Sequence, residues 1–251
     1  SLLKYNLVDC LATWFVRNKN YPIMVRDRQE QLYKTLFLPS LKVIIQMEMI
    51  GMPMNQTRII EAKAELERQA EEHLAVIRGQ SIIQLLEDML TKAAWETDFE
   101  GRKAKAKHPE NINAKEWATF PRTEFNPNSG PQLQRLLYEV MGLPVIDLTD
   151  SKQPATGGDT LEKLIHHTQN PDYQAILQAL IRYSKVAKIL SAFIPAFEKA
   201  IDKEDGRVWL HGSFNLGGTV SGRLSSSKPN LQNLPAGSEH GKLVKSCFSA
   251  P

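Results

Sequence analysis

The apolar residues of this chain keep a helical spacing as far as Asp202 and abandon it only after Gly206. Leu66, Ala70, Leu74 and Ile77 fall at i, i+4, i+8 and i+11, one stripe of a 3.6-residue period. Leu133, Leu136, Leu137, Val140 and Met141 form a second stripe. Tyr173, Ile176, Leu177, Leu180, Ile189, Phe193 and Phe197 form a third. Beyond Gly206 the spacing changes to two or four at Val208, Leu210 and Phe214, with glycines at 212, 217, 218 and 222 marking turns. The pattern predicts an α+β fold, predominantly α-helical, with its β-structure at the C-terminal end.

Breakers divide the helical part. Leu2 to Val16 reads as an amphipathic helix that stops at Asn18-Lys19-Asn20-Tyr21-Pro22. A second helix runs from Asp27 to Ile50, bent at Pro39 and closed by Gly51. A long one opens at Asn55, and its pattern resumes after Gly79 through Leu90. Residues 97–125 break the rhythm and read as an inserted loop carrying Lys103, Lys105 and Lys107, then Trp117, Phe120 and Phe125. Ser129 caps the next helix, with Pro131 early and Gly142 at its end. Asp159 caps a short helix, and a long one follows from Pro171 to Asp202, kinked at Pro195.

Composition excludes several classes. Hydrophobic residues are 42% and charged residues 24% of 251, which is a globular balance. Two cysteines, Cys10 and Cys247, cannot make a disulfide framework or a multi-cysteine zinc site. A reducing compartment, the cytoplasm, is the expected location. No apolar run approaches a membrane span, and Ser1 to Tyr5 lacks signal-peptide character. The net charge is +3, but it is unevenly placed. From Gly206 onward, Arg207, Arg223, Lys228, Lys242 and Lys245 face a single acid, Glu239, the footprint of a polyanion site or of an ordinary loop region. Metalloprotease, P-loop and nucleophile-elbow motifs are missing. His166-His167 and Asp147/Asp150 read as solvated surface groups.

The segment Thr219 to Pro235 is too irregular for a helix or a plain strand. It packs Arg223, Asn230, Gln232 and Asn233 between glycines and prolines that fix the backbone. Such side chains donate to the purine N3 and pyrimidine O2 acceptors that every base pair offers in the minor groove. Ser225, Ser226 and backbone N–H groups can hold phosphates. A polar surface loop has the same composition, and composition alone does not decide between the two.

Sequence resemblance does. The segment is similar to the Thr-x-x-Gly-Arg-Leu-Ser-Ser-x-x-Pro-Asn-Leu-Gln-Asn-Ile-Pro motif of family A DNA polymerases, the DNA polymerase I family. It matches at Thr219, Gly222, Arg223, Leu224, Ser225, Ser226, Pro229, Asn230, Leu231, Gln232, Asn233 and Pro235. Upstream, Leu41 to Asn55 with Met47-Glu48 and Gly51 resembles the start of the polymerase region. Phe125-Asn126-Pro127 with Ser129 and Gln132-Leu133 resembles the thumb's signature. Tyr183 to Phe193 resembles the thumb helix that carries lysines onto the primer strand, with Lys188 matching and Leu190 standing where a second lysine is common. His211-Gly212 and Asn215 are closer to bacteriophage members. Tyr5-x-x-x-Asp9 resembles the third motif of the family's 3′→5′ exonuclease, in which the Tyr positions water and the Asp binds metal.

The resemblance implies an exonuclease helix at 1–20, palm segments at 21–54 and 204–251 that meet in space, and a thumb at 55–203 carrying the 97–125 insertion. It implies primer–template DNA as partner, held by Arg223, Ser225, Ser226, Asn230, Gln232, Asn233, Lys185 and Lys188. The family's polymerase carboxylates come from motifs later than this segment, so no catalytic residue is expected here beyond an incomplete Tyr5/Asp9 pair. Mg2+ is expected for the complete enzyme and none on this chain. Further expected partners are a second polypeptide completing the polymerase and a processivity partner at 97–125. A non-catalytic helical interaction module is the rival reading.

Overall fold

The structure is a computed structural model that describes residues 2–203, 207–235, 237 and 239–249. Gly206 and parts of the segment 204–251 therefore lie outside the described residues. The fold is α+β and predominantly helical. The chain forms two compact units, one from residues 1–56 with 196–251 and the other from 57–195.

The first unit opens with α1 (Leu2–Arg26), which does not stop at Asn18 but runs through Pro22. Contacts on both sides of the proline hold that turn: Arg17 lies over the Tyr21 ring at 5.2 Å, and the Tyr21 hydroxyl donates to Glu30. No described residue of α1 is buried; Leu3, Tyr5, Trp14 and Phe15 are among its exposed side chains. A short α2 (Glu30–Leu32) leads through a π-helical turn, Tyr33–Phe37, into α3 (Leu38–Ile50). The π-turn is how the chain meets Pro39, whose missing N–H breaks the regular bonding pattern; the Leu38 N–H reaches back five residues to the Tyr33 carbonyl. Only Ile44 of α3 is buried. Lys203 closes its far end by donating to the carbonyls of Met49 (3.3 Å) and Ile50 (2.7 Å).

After Gly51 comes β1 (Met52–Met54), which pairs with a strand from the other end of the sequence.

The second unit is a helical stack. Here α4 (Gln56–Arg78) carries Ile59, Ala62, Leu66 and Ile77 buried on one face. The helix α5 (Ser81–Lys105) extends well past Leu90, so the first nine residues of the expected loop are helical. Pairs one turn apart explain the extension: Arg102 Nε meets Asp98 at 2.8 Å and Lys103 lies over the Phe99 ring at 5.5 Å. Next, α6 (Gly130–Gln134) passes into a π-helical turn, Arg135–Val140. Ser129 occupies the N-cap position but its side chain makes no capping bond; Gln132 instead accepts from the Asn126 N–H at 2.7 Å. The cap residue of α7 (Gly158–Leu164) is Gly157, with Asp159 in the first turn favouring the helix dipole. Last in this unit is α8 (Pro171–Ala192), capped by Asn170, whose side chain accepts from the Asp172 N–H at 2.9 Å. One cluster of buried side chains joins α5, α6, α7 and α8, including Ile83, Leu86, Leu136, Leu137, Leu164, Ile176 and Leu177.

The chain returns to the first unit around α9 (Ile194–Phe197) and continues into β2 (Ile201–Asp202) and β3 (Val208–Leu210). The order β1-β3-β2 makes an antiparallel sheet with Met52 opposite Leu210 and Ile201 opposite Trp209. A second antiparallel pair, β4 (Ser213–Asn215) and β5 (Ser225–Ser227), sets Phe214 opposite Ser226. Finally α10 (Glu239–Ser246) buries Val244 and delivers Cys247 to the sheet edge, where its carbonyl accepts from the Asn55 N–H at 2.8 Å.

Candidate nucleic-acid interface

The hairpin β4–β5 presents the Thr219 to Pro235 segment in two turns. The first is closed by Gly217 (φ +75°) and Gly222 (φ +74°), a backbone that residues with a Cβ rarely adopt. Within it the Thr219 hydroxyl donates to the Arg223 carbonyl at 2.8 Å, so the main chain at Arg223 is fixed while its guanidinium stays exposed. Val220 stands fully exposed at the tip.

The second turn is a single 3-10 helical turn, Leu231–Asn233, capped by Asn230. Ser226 is buried at 6% exposure, and its hydroxyl donates to Asn230 Oδ1 at 2.9 Å while accepting from the Gln232 N–H at 3.2 Å. Asn230 Oδ1 also accepts from the same N–H at 3.3 Å. With that oxygen occupied, the Asn230 amide turns its Nδ2 donors elsewhere. Ser226 was expected to face DNA; its hydroxyl is instead spent inside the turn, because a buried hydroxyl and a buried N–H must find partners. Ser225 is half-buried on β5.

The outcome is a set of exposed donors on one hairpin. Arg223, Asn230, Gln232 and Asn233 are all exposed, and the Arg223 guanidinium and the Gln232 and Asn233 amides have no hydrogen-bond partner among the described residues. Beside the first turn lies a groove of about 680 Å³, lined by Met24, Tyr33, Phe37, Gly217, Thr219 and Val220 among others.

Lys185 and Lys188 belong to the other unit, both exposed on α8. Lys185 forms an exposed pair with Glu162 at 3.2 Å, a surface interaction of the weak kind. Lys188 has no ion-pair partner among the described residues.

Tyr5 and Asp9 sit one turn apart on α1, both exposed. No group of three His, Cys, Asp or Glu side chains that could hold a metal ion gathers among the described residues. No helix of the described residues is long and apolar enough to cross a membrane.

The expected loop is a docked segment. Trp95 on α5 donates to the Lys115 carbonyl, Arg102 to the Asn113 carbonyl at 3.1 Å, and Lys115 to Asp98 at 3.1 Å. Its two charge partners, Lys115 first, hold the Asp98 carboxyl below the usual carboxylate range. Trp117 meets Trp95 edge-on with ring centroids 6.0 Å apart. Arg122 is taken by Glu87 and Asp88, and Glu87 also accepts from the Phe125 N–H at 3.0 Å. Of the six basic residues at 101–125, Arg102, Lys115 and Arg122 are thus committed internally. Lys105 and Lys107 are exposed without such partners among the described residues.

Glu48 is a residue whose importance sequence reasoning missed. It appeared only as part of a resemblance, yet its main-chain carbonyl holds His211, between β3 and β4, and its carboxylate holds Phe214 in β4. The available signal was a lone acid in the apolar last turns of α3.

Comparison with known proteins places this geometry. The DNA polymerase family A model matches residues 100–251, more than half of the chain, and the chain belongs to that family. DNA polymerase I of Geobacillus stearothermophilus is 27% identical over 248 residues, 99% of this chain and 23% of that protein. DNA polymerase I of Pseudomonas aeruginosa is 34% identical over 128 residues, 51% of this chain and 13% of its own length. The thermostable DNA polymerase I of Thermus aquaticus is 35% identical over 127 residues, covering 50% and 14%. The chain therefore spans less than a quarter of the length of these relatives. Among solved structures, the polymerase domain of Pol1 from M. smegmatis, determined with DNA primer–template and dNTP, shares the fold. Its TM-score is 0.61 at 22% identity, over 90% of this chain and 31% of that one.

Proposed function

We propose that this chain is the primer–template-binding thumb and partial palm of a bacteriophage-type, DNA-directed DNA polymerase of family A. The observation that carries the reading is the donor set on the β4–β5 hairpin: Arg223, Asn230, Gln232 and Asn233 exposed together on a backbone fixed by internal hydrogen bonds. Donors held this way suit the minor-groove acceptors common to all base pairs. Residues 21–54 and 204–251 supply palm segments, and 55–203 the thumb, from which Lys185 and Lys188 meet backbone phosphate. Residues 1–20, with Tyr5 and Asp9, are the C-terminal helix of a 3′→5′ exonuclease domain.

In the complete enzyme, nucleotidyl transfer in DNA replication would use Mg2+ held by residues other than the described ones, in the cytoplasm of a host cell. The 251-residue chain by itself is read as adding no nucleotide, and incubation with primer–template, dNTPs and Mg2+ checks it: template-directed extension would refute the reading. The rest of the polymerase, on this polypeptide or on a second one, completes the enzyme. Supporting this, α1 leaves apolar side chains such as Leu3, Trp14 and Phe15 exposed, and a helix apolar on many sides belongs in an interior. The docked segment at 97–125 receives a processivity partner, with exposed Trp117 as its aromatic anchor.

Titrating the 251-residue chain against a labelled primer–template at increasing salt tests the reading. Affinity that falls steeply and linearly in log–log form supports it. Absence of duplex binding even at low salt transfers support to a non-catalytic interaction module.

A further inference from the structure

The geometry points to Glu48 as the positioning residue of the DNA-reading hairpin, a clamp that sets the donors through His211 and Phe214; we infer this on top of the minor-groove reading above. Glu48 lies in α3, more than 160 residues before the hairpin in sequence, and grips it twice. Its main-chain carbonyl lies 2.7 Å from His211 Nδ1, and since a carbonyl only accepts, Nδ1 carries the proton. Its carboxylate Oε1 accepts from the Phe214 N–H at 2.6 Å, a charge-assisted bond of the stronger kind.

Each grip leads to the donors by a separate route. Phe214 stands opposite Ser226 in the strand pair, and Ser226 holds both Asn230 and the Gln232 N–H. His211 precedes Gly212, where a Cβ would come 2.7 Å from Leu231 Cδ1. Leu231 is seated on that bare glycine backbone, and it is the first residue of the turn that carries Gln232 and Asn233. The His211 ring is itself fitted against Gly51, where an added Cβ would meet His211 Cε1 at 2.9 Å. Removing the carboxylate frees β4 and loosens the support that runs through Ser226, while the main-chain bond to His211 and the phosphate-contacting lysines are untouched.

The test uses the full chain and a labelled primer–template carrying either dG or its 3-deaza analogue, which has C–H in place of N3, next to the primer terminus. The unaltered chain and Glu48→Gln, whose amide oxygen still accepts from Phe214, are expected to bind the dG duplex on the order of tenfold more tightly. Glu48→Ala is expected to bind both duplexes alike, with its salt slope unchanged. Arg223→Ala is the control. If it abolishes the preference and Glu48→Ala keeps it, the clamp is overturned and the minor-groove reading stands. If neither the unaltered chain nor Arg223→Ala shows any effect of N3, the minor-groove reading falls and the clamp with it. Should Glu48→Ala melt below the assay temperature, Gly212→Ala displaces Leu231 with the clamp intact, and an undiminished preference there overturns the proposal.

Discussion

The indole Nε1–H of Trp95 donates to the main-chain carbonyl of Lys115 at 2.7 Å, folding twenty residues of chain back onto the end of α5. That bond and the edge-on Trp117 make 106–121 an ordered attachment of the helical unit. Trp95→Phe keeps most of the ring and removes the donor, and is expected to weaken docking by about 1 kcal/mol. Limited trypsin digestion checks it: cleavage after Lys107 and Lys115 should accelerate about fivefold, while cleavage within α8 stays unchanged.

Asp98 makes the docking acid-sensitive in one direction only. Hydrogen bonds from Lys115 and then Arg102 lower its carboxyl below the usual 3.8. A carboxylate depressed in the folded state contributes stability that is complete above its unfolded value and lost as pH falls through the folded one. Tryptophan emission is therefore expected to hold constant from pH 7 to 4 and to change only below the ordinary Asp range. Asp98→Asn should make the spectrum independent of pH there, and a transition near pH 6 would contradict the assignment.

Arg223 and Lys188 should fail in different ways. Arg223→Ala is expected to weaken primer–template binding by about 1–3 kcal/mol and to blunt discrimination against a mismatched terminus. Lys188→Ala should lower affinity evenly across sequences and reduce the salt slope by about one. Binding isotherms at several salt concentrations, on matched and mismatched termini, separate the two.

Gly51 carries two constraints at once, a φ of +77° and the His211 ring 2.9 Å from where a Cβ would stand. Gly51→Ala is expected to cost about 1–3 kcal/mol, seen as a lowered Tm. Gly130→Ala, in open space with no unusual φ, serves as the neutral comparison.

The two thiols should react at very different rates. Cys10 is exposed on α1, whereas Cys247 is fully buried, and burial pushes its pKa up to about 11. At pH 8 a disulfide reagent should modify one thiol within seconds and the second only on unfolding. Cys10→Ser should abolish the fast phase alone.

Much of this was legible in the residue order. The stripe through Leu66 and Ile77 and that through Ile176, Leu177 and Leu180 are the buried faces of α4 and α8, because helix periodicity is local. The change of spacing at Val208 and Leu210 marked the strand β3 for the same reason. Family A membership was written in Thr219 to Pro235. Where the breaker residues misled, nearby side-chain pairs won: Tyr21 with Arg17 and Glu30 carried α1 through Pro22, and Asp98 with Arg102 carried α5 to Lys105.

Other features no local reading could supply. Met52 pairs with Leu210, and Glu48 grips Phe214, across more than 150 residues. Which of the hairpin's polar residues face outward was likewise undecided by the sequence, since Ser226 and Asn230 carry similar hydrogen-bonding capacity. Folding spent the buried Ser226 hydroxyl and Asn230 Oδ1 on each other and on the Gln232 N–H, and left the amides of Gln232 and Asn233 exposed. The sequence by itself determined the helices, the strand region and the family. Only the tertiary structure decided which donors remain free, because a buried polar group must be satisfied by whatever the fold brings within reach.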